Sequence, residues 1–503
     1  MLRKIRRAIA TAINTVDKRF YIREYPDVGA SGMDAADHYR RHGAEERRFP
    51  NGLVKALRMR RERVILPRTK RKPYTFESPT AARDGLFYLA RSQPARKLEK
   101  AMLSVLPDFS GHSIVAHVVK LVDVSKVGAI DRIEPASSHT FREPAVYGES
   151  DQRPIRTVET PSTWIAQVLG ARIIGGFQVV KGNQLVIYEP AADLRKGFVA
   201  GVWQYVSAIN KSPGRAIVWF EHDRVVRLPE AVLISGRCSP NYFHWLIEYL
   251  TRLRPVMCRL GESRPPLLID ADMYPQEFES LKVVAGDWPI HLVGKRTLLE
   301  VEKLHIPSIP TFHPDWMDVP FWAGSALNPA SLRFLRDRVY AAAGLTEGSA
   351  FTARRIYIAR RQGRNILNAP DVERALESMG FEVVDTGQMG FLDQVKLFAS
   401  AELIVGAMGA GFTNAIFCDS RCKMVAIGSP FGKRFSMQSN LASFAGADYL
   451  VVAGEHEKYT PGAEENNRDL NLLMESFSVS IDDLVGAVQV MTRRLEKGSS
   501  HFA

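Results

Sequence analysis

Between Arg355 and Ile427 short β-type runs alternate with helix-like stretches, and this alternation restricts the fold more than any other feature of the chain. Arg355–Ala359 reads as a strand, residues 360–365 (Arg-Arg-Gln-Gly-Arg-Asn) as a basic loop, and Pro370–Met379 as a helix closed by Gly380. Phe381–Val384 follows as a strand, Leu392–Ala399 as a helix and Leu403–Val405 as a strand. A glycine-rich turn at Gly406, Gly409 and Gly411 then leads into a helix-like segment from about Thr413, and Lys423–Ile427 reads as another strand. Strands alternating with helices predict a parallel, doubly wound α/β sheet. Ligands of such sheets sit outside the carboxyl ends of the strands, which puts the basic loop and the glycine turn on one rim.

Strand, glycine turn and helix together aim backbone N–H groups at a phosphate. Alone the turn is a weak signal, because many α/β proteins carry one that binds nothing. Convergence with Arg360 and Arg364 strengthens it, since arginines facing a helix start clamp a diphosphate well. Surface arginines beside a structural turn remain the competing explanation.

A second chemically loaded stretch is Asn241-Tyr-Phe-His-Trp-Leu-Ile-Glu-Tyr-Leu-Thr-Arg-Leu253, which follows an apolar strand candidate and a turn. Leu246, Leu250 and Leu253 mark the apolar face of a helix. His244 and Glu248, four residues apart, share another face. A carboxylate that orients an imidazole suits general acid–base work; a packed structural histidine with a solvated Glu248 fits the same spacing. Asp270 and Asp272 form a DxD after the apolar run Pro266–Ile269. Such a pair can hold a divalent ion on a diphosphate, but ordinary turn chemistry explains it better.

With 503 residues the chain is too long for a single core. Residues 81–330 read as mixed α/β, with strand candidates at Ser113–Lys120, Ala171–Val180, Gln184–Tyr188, Ala231–Ser235, Pro266–Ile269 and Lys303–Ile306. Residues 331–460 form the regular α/β unit, and 461–503 a loop and a C-terminal helix over Ile481–Leu495. Four cysteines, Cys238, Cys258, Cys418 and Cys422, give no disulfide framework and no metal spacing. Residues 1–72 carry 20 Lys and Arg against 8 Asp and Glu, which leaves 47 of each sign in the remainder. A basic arm on a neutral body argues against a nucleic-acid binder, and no recognition motif supports one.

Residues 1–55 read as a basic helical module and 56–80 as a basic linker. Leu2, Ile5, Ile9, Ile13 and Val16 give the first helix an apolar stripe, suited equally to an anionic membrane surface or to docking on the body. Asn14, Asp17, Lys18 and Arg19 break any signal-type apolar run, so an uncleaved cytoplasmic chain is expected, with peripheral contact at the inner membrane face. No apolar run is long enough to span a bilayer. His38 and His42 are expected in the module's core rather than on a metal.

The stretches at 241–253, 355–368 (Arg-Ile-Tyr-Ile-Ala-Arg-Arg-Gln-Gly-Arg-Asn-Ile-Leu-Asn), 380–384 and 403–417, in this order and spacing, resemble glycosyltransferase family 61 over roughly residues 150–460. The pattern Tyr21–Val28 and His38–Arg48 resembles helical modules attached to bacterial glycosyltransferases. The resemblance implies a GT-B-like fold, two Rossmann-like domains facing across a cleft, plus the small helical module. It further implies inverting transfer from a nucleotide sugar, usually a UDP-sugar, to a glycan or lipid-linked glycan in bacterial capsular polysaccharide synthesis, without metal or cofactor. On that basis His244 and Glu248 are the expected catalytic pair. Arg360, Arg364, Gly409, Ala410, Gly411, Thr413 and Asn414 are expected on the donor, with Asn241 and Tyr242 on the acceptor side. The glycine turn departs from the family pattern, with Met408 where a histidine is usual. A thioether donates no hydrogen bond to phosphate, which keeps a non-catalytic nucleotide-sugar-binding or assembly subunit as the alternative.

Overall fold

The computed structural model describes residues 16–25, 28, 34–39, 78–90, 95–109, 111–150, 152–189, 193–194, 201–209, 214–311, 313, 326–360, 366–463 and 475–499. The chain forms two compact units, Met1–His112 and Ser113–Ala503. In the first, the described helices are Lys18–Glu24, Ala35–His38, Pro79–Leu89 and Ala95–Val105. Asp17 caps one of them by accepting from Phe20 N at 3.0 Å, and Asp34 caps the next through Ala36 N at 2.8 Å. Tyr21, Val28 and Ala35 are buried together, and the Tyr21 hydroxyl meets His38 Nδ1 at 3.2 Å. His38 is thus a core residue, as expected. His42, the stripe from Leu2 to Ile13 and most of the basic linker lie outside the described residues.

The second unit is built on two large sheets. The 11-stranded sheet contains four parallel neighbours: β1 (Arg224–Leu233), β2 (Leu267–Asp270), β3 (Ile290–Val293) and β4 (Thr297–Pro307), in the order β3-β2-β1-β4. Val232 of β1 pairs with Leu267 on one side and His305 on the other. Beyond β4 the sheet continues with the antiparallel strand Thr163–Ile174 and further strands of mixed direction. The Rossmann-like order implied by the resemblance is therefore confined here to four strands. Ala171–Val180, expected as one strand, is divided at Gly175–Phe177, where Gly176 takes φ 65. Thr163–Ile174 ends there and Gln178–Lys181 returns beside it.

The second sheet is wholly parallel: β5 (Arg354–Ile358), β6 (Glu382–Val384), β7 (Ala401–Ala407), β8 (Lys423–Gly428) and β9 (Asp448–Ala453), ordered β6-β5-β7-β8-β9. Its sixth strand, Ala145–Val146, pairs with β9 and comes from far outside residues 331–460. The order is that of a doubly wound sheet, and its direction of travel reverses between β5 and β7. Alternate residues of these strands serve two different cores. Ile356, Ile358, Ile404 and Val451 pack with Trp245, Leu246, Leu250 and Leu253. Tyr357, Leu403, Val405 and Val425 pack with Val372, Leu376, Leu484 and Val488 on the opposite face. Each fully buried aliphatic side chain contributes roughly 1.5–3 kcal/mol.

The first of these cores joins the two sheets, and polar bonds cross the same seam. Gln276 Nε2, on the helix Pro275–Ala285, donates to Gly387 O at 3.0 Å and Met389 O at 3.1 Å. Glu279 accepts from the backbone of Phe391, the first residue of the helix Phe391–Ser400. Tyr340 donates to Phe417 O at 2.8 Å. No described helix is long and apolar enough to cross a membrane.

Candidate functional site

The loop leaving the carboxyl end of β1 enters a helical turn at Asn241. Its side chain accepts from Phe243 N at 3.1 Å and His244 N at 3.4 Å, so Asn241 acts as an N-cap. The short helix Tyr242–His244 passes into a π-type turn, Trp245–Tyr249, rather than continuing as the expected regular α-helix. Wide turns of this kind recur at functional sites. Four apolar side chains in the turn, Trp245, Leu246, Ile247 and Tyr249, are fully buried and hold it in place.

Within this turn His244 Nδ1 and Glu248 Oε2 lie 2.7 Å apart. The other carboxylate oxygen, Oε1, accepts from the backbone of His313 at 2.6 Å, on the segment that follows β4. Glu248 is fully buried, which overturns the solvated alternative, whereas His244 keeps 11% of its side-chain surface open. Facing a carboxylate, which only accepts, Nδ1 is the donor of the pair, and in the neutral ring that leaves the lone pair on Nε2. The arrangement orients a base and would stabilise its imidazolium. His313 N is a partner that the sequence pattern did not indicate, because it lies 65 residues away and contributes only its backbone.

On the second sheet, Arg360 leaves the carboxyl end of β5 and its Nη1 donates to Met408 O at 3.0 Å, just past β7. The contact spans the β5–β7 reversal, where doubly wound sheets bind ligands. The guanidinium lies close against the turn, so that a Cβ on Gly409 would stand 2.7 Å from Arg360 Nη1. Burial lowers the Arg360 pKa: the cation sits where water no longer fully solvates it. Ala410–Phe417 is a 3-10 helix instead of an α-helix. The first N–H groups of such a helix have no partner within it, and Gly409, Ala410 and Gly411 are only half-buried. Met408 is buried, its sulfur packed against Gly428, and its N–H joins Ile427 O at 2.8 Å. It is a packing residue here. Arg364 lies outside the described residues.

Thr413 and Asn414 are fully buried, so they are not exposed donor contacts in this structure. Asn414 instead links the halves of the site. Its Oδ1 accepts from the Tyr242 hydroxyl at 2.6 Å, and its Nδ2 donates to Gln394 Oε1 at 2.8 Å. Burial and nearby Glu277 push the Tyr242 phenol well above its usual range, while the bond to Asn414 opposes them. Glu277 is also fully buried, and burial raises its carboxyl to about 8 despite a bond from Tyr274 N. Tyr242 thus reaches across to the second sheet, whereas sequence reasoning placed it on an acceptor. Gln394 and Gln438, whose Nε2 donates to Gly409 O at 2.5 Å, were not foreseen.

Further ring contacts tie the two rims together. Phe243 packs on His313 and His313 on Phe435, with centroids 6.4 Å and 5.1 Å apart. Asp270 and Asp272 form the local turn that the sequence favoured: Asp270 Oδ1 accepts from Asp272 N at 3.0 Å, and Asp272 pairs with Lys295 at 3.2 Å. Among the described residues no three His, Cys, Asp or Glu side chains are grouped as metal ligands. No curated protein sequence matches this chain. Residues 242–425, the segment that holds His244, Glu248, Arg360 and the glycine turn, match the family described as Glycosyltransferase 61.

Proposed function

We propose that the protein is an inverting glycosyltransferase that moves a sugar from a nucleotide sugar, a UDP-sugar by preference, to a glycan acceptor in bacterial surface-polysaccharide synthesis. The observation that carries this reading is the linkage of two rims. The Tyr242–Asn414 bond holds the His244–Glu248 turn beside the Arg360–Gly411 rim, and both fall within the matched segment.

In this reading the donor diphosphate lies against Arg360 and the amides of Ala410 and Gly411, with Arg364 and Gly409 as further contacts. An anion there would compensate a cation that burial has deprived of water. The acceptor hydroxyl approaches His244. Its oxygen bonds to the anomeric carbon as the bond from that carbon to the phosphate oxygen breaks. The proton passes to His244 Nε2, and the nucleoside diphosphate leaves with the bonding electron pair. Glu248 stabilises the resulting imidazolium. Attack opposite the leaving group inverts the anomeric centre. Thr413 and Asn414 support the turn from behind, and Asn241 and Tyr242 fix the turn that carries His244.

Incubation with a panel of nucleotide sugars tests this reading through release of nucleoside diphosphate. Release from one donor, lost in His244→Ala, supports it. If donors bind tightly but no turnover occurs with any acceptor tried, the non-catalytic alternative replaces it.

A further inference from the structure

His313 supports Glu248 through its backbone, but its imidazole stands between the two rims. On one side the ring packs on Phe243, the residue before His244, with centroids 6.4 Å apart. On the other it packs more closely on Phe435, at 5.1 Å. All three residues are half-buried.

Both supports are held in place. Phe243 N donates to the Asn241 cap at 3.1 Å. Phe435 lies in the loop between β8 and the helix Met437–Phe444, at the carboxyl end of the strand. Its N–H donates to Gly432 O at 2.9 Å, and its neighbours Lys433 and Arg434 grip Glu149 at 2.7 Å and 2.6 Å. The helix that follows carries Gln438, which holds Gly409 O of the glycine turn. The His313 main chain is tied as well, to Glu248 Oε1 at 2.6 Å. The ring is therefore held to the base turn by its backbone and to the donor side by its packing.

Glu248 gives one oxygen to His244 Nδ1 and the other to the His313 backbone, which assigns the base role to the His244 ring. The charge that still needs a partner is the one that gathers on the departing diphosphate. Within the glycine turn the Met408 side chain is packed against Gly428, and a thioether donates nothing. An imidazole carries an N–H even when neutral. The Nδ1 atom of His313 is buried, so Nε2 is the nitrogen that can meet a ligand.

We propose that His313 is a further catalytic residue, whose Nε2–H donates to the terminal phosphate of the departing nucleoside diphosphate. This rests on the transferase reading. As the bond from the anomeric carbon to the phosphate oxygen breaks, its electron pair passes to that oxygen. The N–H dipole meets the charge gathering on the phosphate, and the proton stays on the ring.

The test is calorimetric titration of the full chain with UDP, GDP and CDP, and with the corresponding monophosphates, which lack the terminal phosphate. Two variants separate bonding from packing, and both keep the backbone N–H that serves Glu248. His313→Phe keeps an aromatic ring between Phe243 and Phe435 but has no side-chain donor. His313→Gln keeps a side-chain N–H but loses the ring. At least one diphosphate should bind the parent. His313→Phe should weaken it about tenfold, as for loss of a charge-assisted bond, with monophosphate binding and melting temperature at the parent level. His313→Gln should bind it nearly as the parent does. With the matching nucleotide sugar, kcat of His313→Phe should fall about 10²–10³-fold, with a much smaller change in KM.

Equal diphosphate binding by the parent and His313→Phe, or equal weakening of diphosphate and monophosphate, would overturn the assignment. So would normal binding by His313→Phe with loss in His313→Gln, the pattern of a packing residue. Should His313→Phe melt early, NMR of the chain with isotope-labelled histidine decides. The side-chain signal missing from His313→Gln must then shift with the diphosphate and not with the monophosphate; any other pattern overturns the assignment. A diphosphate bound by His313→Phe as by the parent but lost in Arg360→Ala would sink this assignment alone. No diphosphate bound by the parent would sink the donor site and this role together.

Discussion

His244 and Glu248 show how burial decides between two readings of one spacing. A solvated Glu248 would exchange with water and hold the ring loosely. Here it is fully buried, with one oxygen on His244 and the other on His313 N. His244→Ala should lower kcat by about 10²–10⁴-fold, the usual worth of a positioned base, while calorimetry finds donor affinity unchanged. Glu277 makes a different prediction. Its carboxyl titrates at about 8 in the folded protein against an ordinary 4.5, so folding retains a proton that the unfolded chain releases. The stability contributed by this group is complete below about 4.5 and is lost as pH rises through about 8. Gln at this position still accepts from Tyr274 N but cannot ionise. Glu277→Gln should therefore melt above the parent at pH 9, with the gap closing toward pH 5. A constant gap across that range would contradict a buried, proton-holding Glu277.

At the scale of elements, the turn from β7 into the 3-10 helix is held by contact as well as by sequence. A Cβ on Gly406 would stand 2.8 Å from the Phe412 ring and 3.0 Å from Ile358 Cβ. Gly406→Ala should cost about 1–3 kcal/mol in chemical denaturation, the range for overpacking. Asn414→Ala should cost about 2–4 kcal/mol, because it strands both the Tyr242 hydroxyl and the Gln394 amide. These elements were largely legible beforehand. Strands β5 to β8 fall within a few residues of their predicted places, because short continuous apolar runs set off by turn residues and helix patterns are local signals. The pairing of Ala145–Val146 with β9 was not legible, since two residues carry no pattern and their partner is about 300 positions away. The helix after the glycine turn was foreseen in place but not in type, and the same holds for the π-type turn at Trp245. Small shifts in backbone winding leave the apolar spacing nearly unchanged. Within the site, His244, Glu248 and Arg360 could be named from residue type and spacing. His313 N, Gln394 and Gln438 could not, because their roles depend on tertiary approach. Asn414 was expected on the donor, and its buried amide here bonds to Tyr242 and Gln394.

Across the whole molecule, the body 113–503 acts as one unit because its two sheets share a core and a polar seam. Calorimetry of the full chain should show this body unfolding in a single transition, and Tyr242→Phe should lower that transition without splitting it. Two separable transitions within the body would mean that the seam does not couple the sheets. The same seam underlies the central claim, that groups on two sheets form one site for a nucleotide sugar. Its most direct test is calorimetric titration of a panel of nucleotide sugars in EDTA, with Arg360→Ala alongside. The expected result is binding of one donor without added metal, weakened at least tenfold in Arg360→Ala, in line with loss of a charge-assisted contact. Absence of binding by every donor, or equal binding by Arg360→Ala, would contradict it.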